Sequence, residues 1–183
     1  MELRRITADE AEDLFALIDS NRSYLREWLP WLDEHCSVED TVRFLHNIAQ
    51  HFEQQYAFHL GLYVNGQIVG MLSIHHLDWR NRKASLGYWI GSEFQGQGWM
   101  TEACKTLMAF CFDDLSLHRL ELHCAEHNMS SRKVAERLGF ALEGVMHEVE
   151  WLYDHWVDHA VYAMLSSNFR SESSCQDAAA TLE

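Results

Sequence analysis

The run A-S-L-G-Y-W-I-G at residues 84–91, followed by Q-G-Q-G-W-M at residues 95–100, decides how this chain is read. The first run is apolar, rich in aromatics and closed by Gly91, and it predicts a strand. After the second, Met100, Cys104, Leu107, Cys111 and Leu115 recur at helical spacing, so residues 101–115 predict a helix. A strand, a short Gly-bearing loop and a helix start together make an anion site. The first N–H groups of a helix have no internal partner, and the aligned peptide dipoles favour negative charge there. Gly96 and Gly98 carry no Cβ, so a phosphate can come close to the main chain. What is missing narrows the ligand. No Lys-Ser/Thr pair follows Gly98, as a Walker loop requires, and Thr101 stands where the third Gly of a dinucleotide fingerprint would fall.

Composition sets the outer limits. The chain has 183 residues, 48% hydrophobic, with one proline, which suits one domain with a good core over residues 1–170. No apolar run is long enough for a membrane span, and the start M-E-L-R-R-I-T is too polar for a signal peptide. Five cysteines without a C-x-x-C pair predict reduced thiols in a cytoplasmic protein. The run from His123 to His127, and His155 with His159, invite a metal reading. Neither has a recognised ligand spacing, so no metal is expected. The formal charge of −14 argues against direct nucleic-acid binding. It suits a cationic acceptor, though acidic surfaces also simply keep proteins soluble.

Taken in order, residues 2–6 predict a strand. Thr7 caps a helix over 8–20 whose apolar stripe is Ala11, Leu14, Phe15 and Ile18. A dense aromatic patch with Trp28, Pro30 and Trp31 follows. Ser37, with Asp40 as reciprocal cap, opens a helix to about residue 54. Alternating runs on either side of Asn65-Gly66 predict a hairpin, because that pair accepts positive φ at both turn positions. Residues 119–125 alternate as a strand, 128–138 form a short helix stopped by Gly139, and 140–150 with 157–165 form a second hairpin. Residues 171–183 predict a disordered tail. This order implies an α/β (α+β) fold, a mixed sheet with helices on both faces.

Two motifs carry a resemblance. Gln95 and Gly98 fit (Q/R)-x-x-G-x-(G/A), the acetyl-CoA pyrophosphate loop of the GNAT N-acetyltransferase superfamily, although Met100 departs from its small last residue. Q-G-Q-G-W-M-T-E-A is similar to the branch that acetylates ribosomal-protein N-termini. Asn128-Met129-Ser130-Ser131 and Leu138-Gly139-Phe140 resemble the superfamily's second motif. The resemblance spans about residues 3–165. It implies a mostly antiparallel central sheet with a splayed strand pair, opening near Ile90 and Cys124, that takes the pantetheine arm. It further implies cofactor contacts from Ile90, Gln95, Gly96, Gln97, Gly98, Trp99, Met100, Thr101, Asn128 and Ser131.

Acetyl transfer needs a neutral amine, a donor for the developing oxyanion and a proton for the departing thiolate. By resemblance, the backbone N–H near Ile90 is the oxyanion donor. Much of the superfamily uses a Tyr acid five residues before the Phe of L-G-F, and here that position is Ala135. Ser131 is the substitute that the ribosomal branch suggests, and Glu150 is the expected base. Glu148, two residues earlier, is its rival, and burial beside Trp151 is expected to raise the pKa of Glu150. Ser131 as a plain helix cap and Glu150 as an ordinary strand carboxylate both stay open. Trp28, Trp31, Trp151 and Trp156 are candidate acceptor contacts. At pH 7 an α-amino group is roughly one-tenth neutral and a lysine about one part in 2,500, which favours N-terminal acceptors. The resemblance also implies a monomer or homodimer. Three readings remain: a (ribosomal) protein N-terminus, a small amine such as a polyamine, antibiotic or toxin, and a non-catalytic acyl-CoA-binding module.

Overall fold

The structure, a computed structural model, describes residues 1–169, and the tail expected at 171–183 lies outside the described residues. Strand β1 (Glu2–Arg4) opens the chain, and α1 (Ala11–Ser20), α2 (Arg22–Arg26) and α3 (Val38–Glu53) follow. The hairpin of β2 (Phe58–Val64) and β3 (Gln67–Asp78) leads into β4 (Lys83–Ile90). Next come α4 (Trp99–Ala109), β5 (Arg119–Ala125), α5 (Met129–Arg137) and a hairpin of β6 (Ala141–Leu152) and β7 (His155–Leu165). All seven strands join one sheet in the order β1-β2-β3-β4-β5-β7-β6. Every junction is antiparallel except β4–β5.

Local chemistry accounts for most of these boundaries. Asn65 and Gly66 take φ of 51° and 80°, the left-handed pair that a tight hairpin turn requires. The Ser37 hydroxyl accepts the Asp40 N–H at 3.2 Å and donates to its carboxylate at 2.9 Å, closing the start of α3. At the other cap, Glu10 accepts both the backbone N–H and the hydroxyl of Thr7 at 2.9 Å. There a 3-10 turn over Ala8–Glu10 precedes the α-helix, so the expected helix over 8–20 starts in a tighter form. Leu17 is buried where Phe15 was expected to be; Phe15 is half-buried. The helix expected to reach Leu115 changes at Phe110–Asp114 into a π turn, closed by Leu115 N–H to Phe110 C=O at 3.0 Å.

The sheet divides the core in two. Leu72, Ile74, Leu86 and Leu120 pack under α4 and α5 with Leu107, Met108 and Phe112. On the other face Leu14, Ile18, Leu25 and Leu45 pack with Met71. Each fully buried side chain of this size contributes about 1.5–3 kcal/mol relative to exposure, so both helical layers are held to the sheet. The junction between β4 and β5 is different. Its register runs only from Lys83↔Arg119 to Ser85↔Glu121, and beyond that the two strands diverge. That divergence opens the middle of the sheet.

Two half-buried histidines tie stability to pH. Burial, with neighbouring His51 for one and His76 and His123 for the other, lowers His59 and His75 to about 4. An unfolded histidine takes its proton near 6.5, so between 6.5 and 4 the unfolded chain holds more protons. The stability these groups contribute is therefore full above 6.5 and is lost as pH falls toward 4. Denaturant titrations at pH 7 and pH 5 should differ by about 1–2 kcal/mol per histidine. His59→Asn should shrink the difference, and an equal stability at both pH values would refute the account.

Candidate active site

Along the divergence of β4 and β5 lies a cleft of 1440 Å³. It is built from both sheet faces, so it joins the Gly96–Gly98 turn at one end to an aromatic wall at the other. The turn is well suited to an anion. Gly96 and Gly98 take φ of 72° and 82°, and a Cβ built on either would meet no atom within 4 Å. The main chain is thus open to a ligand on that side. Gly98 is the N-cap of α4, and the N–H groups of Trp99, Met100 and Thr101 have no carbonyl one turn back to bond. Two anchors set the turn. Asn21 Oδ1 accepts from the Ser92 N–H and hydroxyl, both at 2.8 Å, and the Gln95 amide donates to the Tyr24 hydroxyl. Lys133 and Arg137, one helical turn apart on α5, also line the cleft, and Arg137 donates to the Thr101 hydroxyl at 3.4 Å. These two cations were missed from the sequence. Their spacing on one face of a helix after the N-x-x-S motif is the signal that was there to find.

In the divergence, Gly91 N–H bonds Val69 C=O of β3 at 2.8 Å. Because strand N–H groups alternate sides, the N–H of Ile90 points the other way, into the cleft. Across the gap, Asn128 Oδ1 accepts the Ser131 N–H at 3.0 Å and caps α5. The Ser131 hydroxyl lies 3.0 Å from that of Tyr88, a residue of β4. Of the expected cofactor contacts, Ile90, Gln95, Gly96, Gly98, Trp99, Met100, Thr101, Asn128 and Ser131 line the cleft. Gln97 does not: its side chain donates to Glu93 C=O at 3.3 Å and accepts the Trp99 indole N–H at 3.2 Å.

At the other end of the cleft, Trp28 and Trp31 belong to the wall made by the chain after α2, with His35 and Phe44 beside them. Glu150 lines the same cleft, and its carboxylate lies 3.2 Å from His159 Nε2. The pairing follows from the sheet, since Glu150 opposes Val157 and the diagonal neighbour His159 shares its face. The expected rival and the expected buried neighbour both differ. Glu148 has φ 49° in an irregularity of register between Met146 and Glu150, and its N–H bonds the Asp158 carboxylate at 2.8 Å. This bulge breaks the two-residue periodicity, so Glu148 is exposed and does not share the cleft with Glu150. Trp151, next in sequence to Glu150, faces the opposite side of the strand. It is 51% exposed, edge-on to Trp156 at 5.2 Å, so it does not bury Glu150. Among the described residues no group of three or more His, Cys, Asp and Glu could hold a metal ion. No described helix is long and apolar enough to cross a membrane.

A latch ties the turn between β6 and β7 to the chain that carries the aromatic wall. The Tyr153 hydroxyl donates to Leu29 C=O at 2.6 Å and accepts the Leu32 N–H at 3.3 Å, with Arg26 stacked 3.7 Å from the ring centre. Tyr153→Phe keeps the ring and removes both hydrogen bonds. It should raise the KM for the acceptor about two- to ten-fold while acetyl-CoA affinity stays unchanged. Steady-state kinetics check this, and an unchanged acceptor KM would show that the latch does not set the wall.

The sequence profile of the Acetyltransferase (GNAT) domain matches residues 1–141. YdaF of Bacillus subtilis, provisionally named a ribosomal N-acetyltransferase, is 36% identical over 174 residues, 93% of each chain. The ribosomal-protein-serine acetyltransferase of Escherichia coli is 28% identical, covering 90% of this chain and 92% of its own. Among solved structures, RimL, a ribosomal L7/L12 α-N-protein acetyltransferase in complex with coenzyme A, superposes with a TM-score of 0.87. It is 28% identical and the match covers 91% and 94% of the two chains. The microcin C7 self-immunity acetyltransferase MccE, in complex with acetyl-CoA and AMP, superposes at 0.85 with 29% identity, over 89% and 91%. With the divergent strand pair and the glycine turn in place, the chain belongs to the GNAT acetyltransferase family and is an acetyl-CoA-dependent N-acetyltransferase.

Proposed function

We propose that this enzyme acetylates the α-amino group of a protein N-terminus, a ribosomal protein being the leading candidate, in the cytoplasm. The observation that carries the reading is that one cleft collects the phosphate turn, Ser131 with Asn128, and Glu150 with His159. The relatives named for ribosomal-protein serine and alanine acetylation, which this chain matches over most of its length, support the substrate class.

Acetyl-CoA supplies an activated acyl group on a sulfur leaving group. Gly96, Gly98 and the first turn of α4 bind its phosphates through N–H groups, with Lys133 and Arg137 neutralising charge. The Ile90 N–H, turned toward the cleft, donates to the oxyanion. Glu150 takes the ammonium proton, directly or through one water, and His159 holds the carboxylate in place. Ser131 gives a proton to the sulfur. Trp28 and Trp31 form the wall against which an extended acceptor lies.

A second reading, a small amine, is favoured by the aromatic wall of Trp28, Trp31, Phe44 and Trp89. The 29% identity with the spermidine N(1)-acetyltransferase of Escherichia coli, over 76% of this chain, points the same way. Thiol release from acetyl-CoA across an acceptor panel decides between them. The panel holds peptides beginning Ser, Ala or Met, an N-terminally blocked lysine peptide, spermidine, and no acceptor. Selective turnover of Ser or Ala peptides is the expected result. Turnover of spermidine alone would assign the small-amine class, and binding without acceptor-dependent release would overturn both.

A further inference from the structure

The leaving thiolate has a proton donor in Ser131, yet an aliphatic hydroxyl is a weak acid by itself. What stands behind Ser131 is therefore chemically informative. Tyr88 sits three residues past the last paired position of β4, where that strand has already left β5. Its hydroxyl crosses to α5 and lies 3.0 Å from Ser131 Oγ and 3.1 Å from Ser131 C=O. Asn128 fixes the same residue from the other side through its N–H. Two hydroxyls are thus held face to face in the opening that the thioester arm must enter. The phenol has two acceptors within reach and a single proton, so rotation about its C–O bond chooses between them.

We propose that Tyr88 is a positioning residue that works through Ser131 as a two-hydroxyl relay, and this rests on the reading of Ser131 as the acid. As the carbon–sulfur bond breaks, the sulfur keeps the electron pair and takes the Ser131 hydroxyl proton. The Ser131 oxygen takes the Tyr88 hydroxyl proton, and solvent water returns a proton to the phenolate. Charge on the serine oxygen never builds up, which is the advantage over a lone serine. The relay also gives a second hydroxyl, contributed by β4, to a chain that has Ala135 where much of its superfamily has a tyrosine.

The surroundings of the Tyr88 hydroxyl are mixed. Burial holds the phenol above its usual range, with Cys104 of α4 and Cys124 of β5 acting in the same direction. Its bond to Ser131 and the charge of Arg137, both on α5, act against this. A phenol so placed stays protonated at neutral pH.

The test is a set of variants assayed with acetyl-CoA and the acceptor found from the panel. Tyr88→Phe, which keeps the ring, should lower kcat about ten- to hundred-fold with acetyl-CoA affinity within about three-fold of wild type. Ser131→Ala should lower kcat at least as much, and the double variant should be no slower than Ser131→Ala, because a relay fails once at either link. Replacing Tyr88 by a series of fluorotyrosines, nearly isosteric but increasingly acidic, should change kcat in step with the acidity of the phenol at fixed pH. A hydroxyl that only braces α5 would give the same kcat across the series. Full turnover in Ser131→Ala would overturn the reading of Ser131 itself. A slow Ser131→Ala with wild-type turnover in Tyr88→Phe, or losses that multiply in the double variant, would overturn the relay alone.

Discussion

Glu150→Gln should lose about 10²- to 10⁴-fold in kcat while binding acetyl-CoA as the wild type does. The substitution is nearly isosteric and keeps an oxygen for His159, which lies 3.2 Å from the carboxylate. It removes the one property the step needs, the capacity to take a proton from the attacking ammonium. At pH 7 roughly a tenth of α-amino groups are already neutral, so the base is not required to create the nucleophile from nothing. In the proposed mechanism its larger task is to accept the proton that becomes acidic as the nitrogen bonds to carbon. Because the cofactor turn is at Gly96–Thr101 and Glu150 is on β6, affinity for acetyl-CoA should not follow kcat. Glu148→Gln is the control. That side chain is exposed and sits in the bulge, so turnover should stay near wild type. Thiol release gives kcat, and calorimetry gives the affinity. Wild-type turnover in Glu150→Gln would remove it from the mechanism, and a matching loss in Glu148→Gln would show that charge at this edge acts without regard to position.

The contrast between those two glutamates shows where a sequence stops being legible. Elements that carry their own chemistry were readable: Asn65-Gly66 demands a turn, Ser37 with Asp40 closes a helix, and residues 119–125 alternate as the strand they form. The glycine turn between β4 and α4 was readable for the same reason, because a strand, two glycines and a helix start are adjacent in the chain. The rest of the cleft depends on contacts between distant positions. Tyr88 meets Ser131 across 43 residues and Arg137 meets Thr101 across 36, and no local period encodes either. Strict alternation placed Glu148 beside Glu150, but between Met146 and Glu150 β6 takes four steps against two on β7, and Glu148 lies in that irregularity with φ 49°. The same alternation, applied to the neighbouring residue, puts Trp151 on the face away from Glu150. The chemistry of the motifs was thus visible in sequence, and their partners were fixed only by packing of the sheet.

At the glycine turn the expected effect falls on binding instead of turnover. Gly98→Glu should weaken acetyl-CoA by more than about 100-fold, through strain, bulk and charge acting together. Gly98 holds φ at 82°, a conformation that costs an L-residue roughly 1–2 kcal/mol. Strain of that size is small against the stability of a typical domain, so the variant should fold. A Cβ added at Gly98 would have nothing within 4 Å, so no packing is lost either. That open space is where a phosphate would approach the N–H groups of α4, and a carboxylate there occupies it with charge of the same sign. Glu93 and Glu102 already flank the turn, and a third acid would outnumber the two cleft cations, Lys133 and Arg137. Gly98→Ala separates the causes, because it brings the strain without the charge or the length. Calorimetric titration should show Gly98→Ala binding several-fold more weakly and Gly98→Glu not measurably, with both melting cooperatively. Equal losses in the two variants would mean that backbone geometry alone governs the site. Retained binding in Gly98→Glu would place the phosphates somewhere other than this turn.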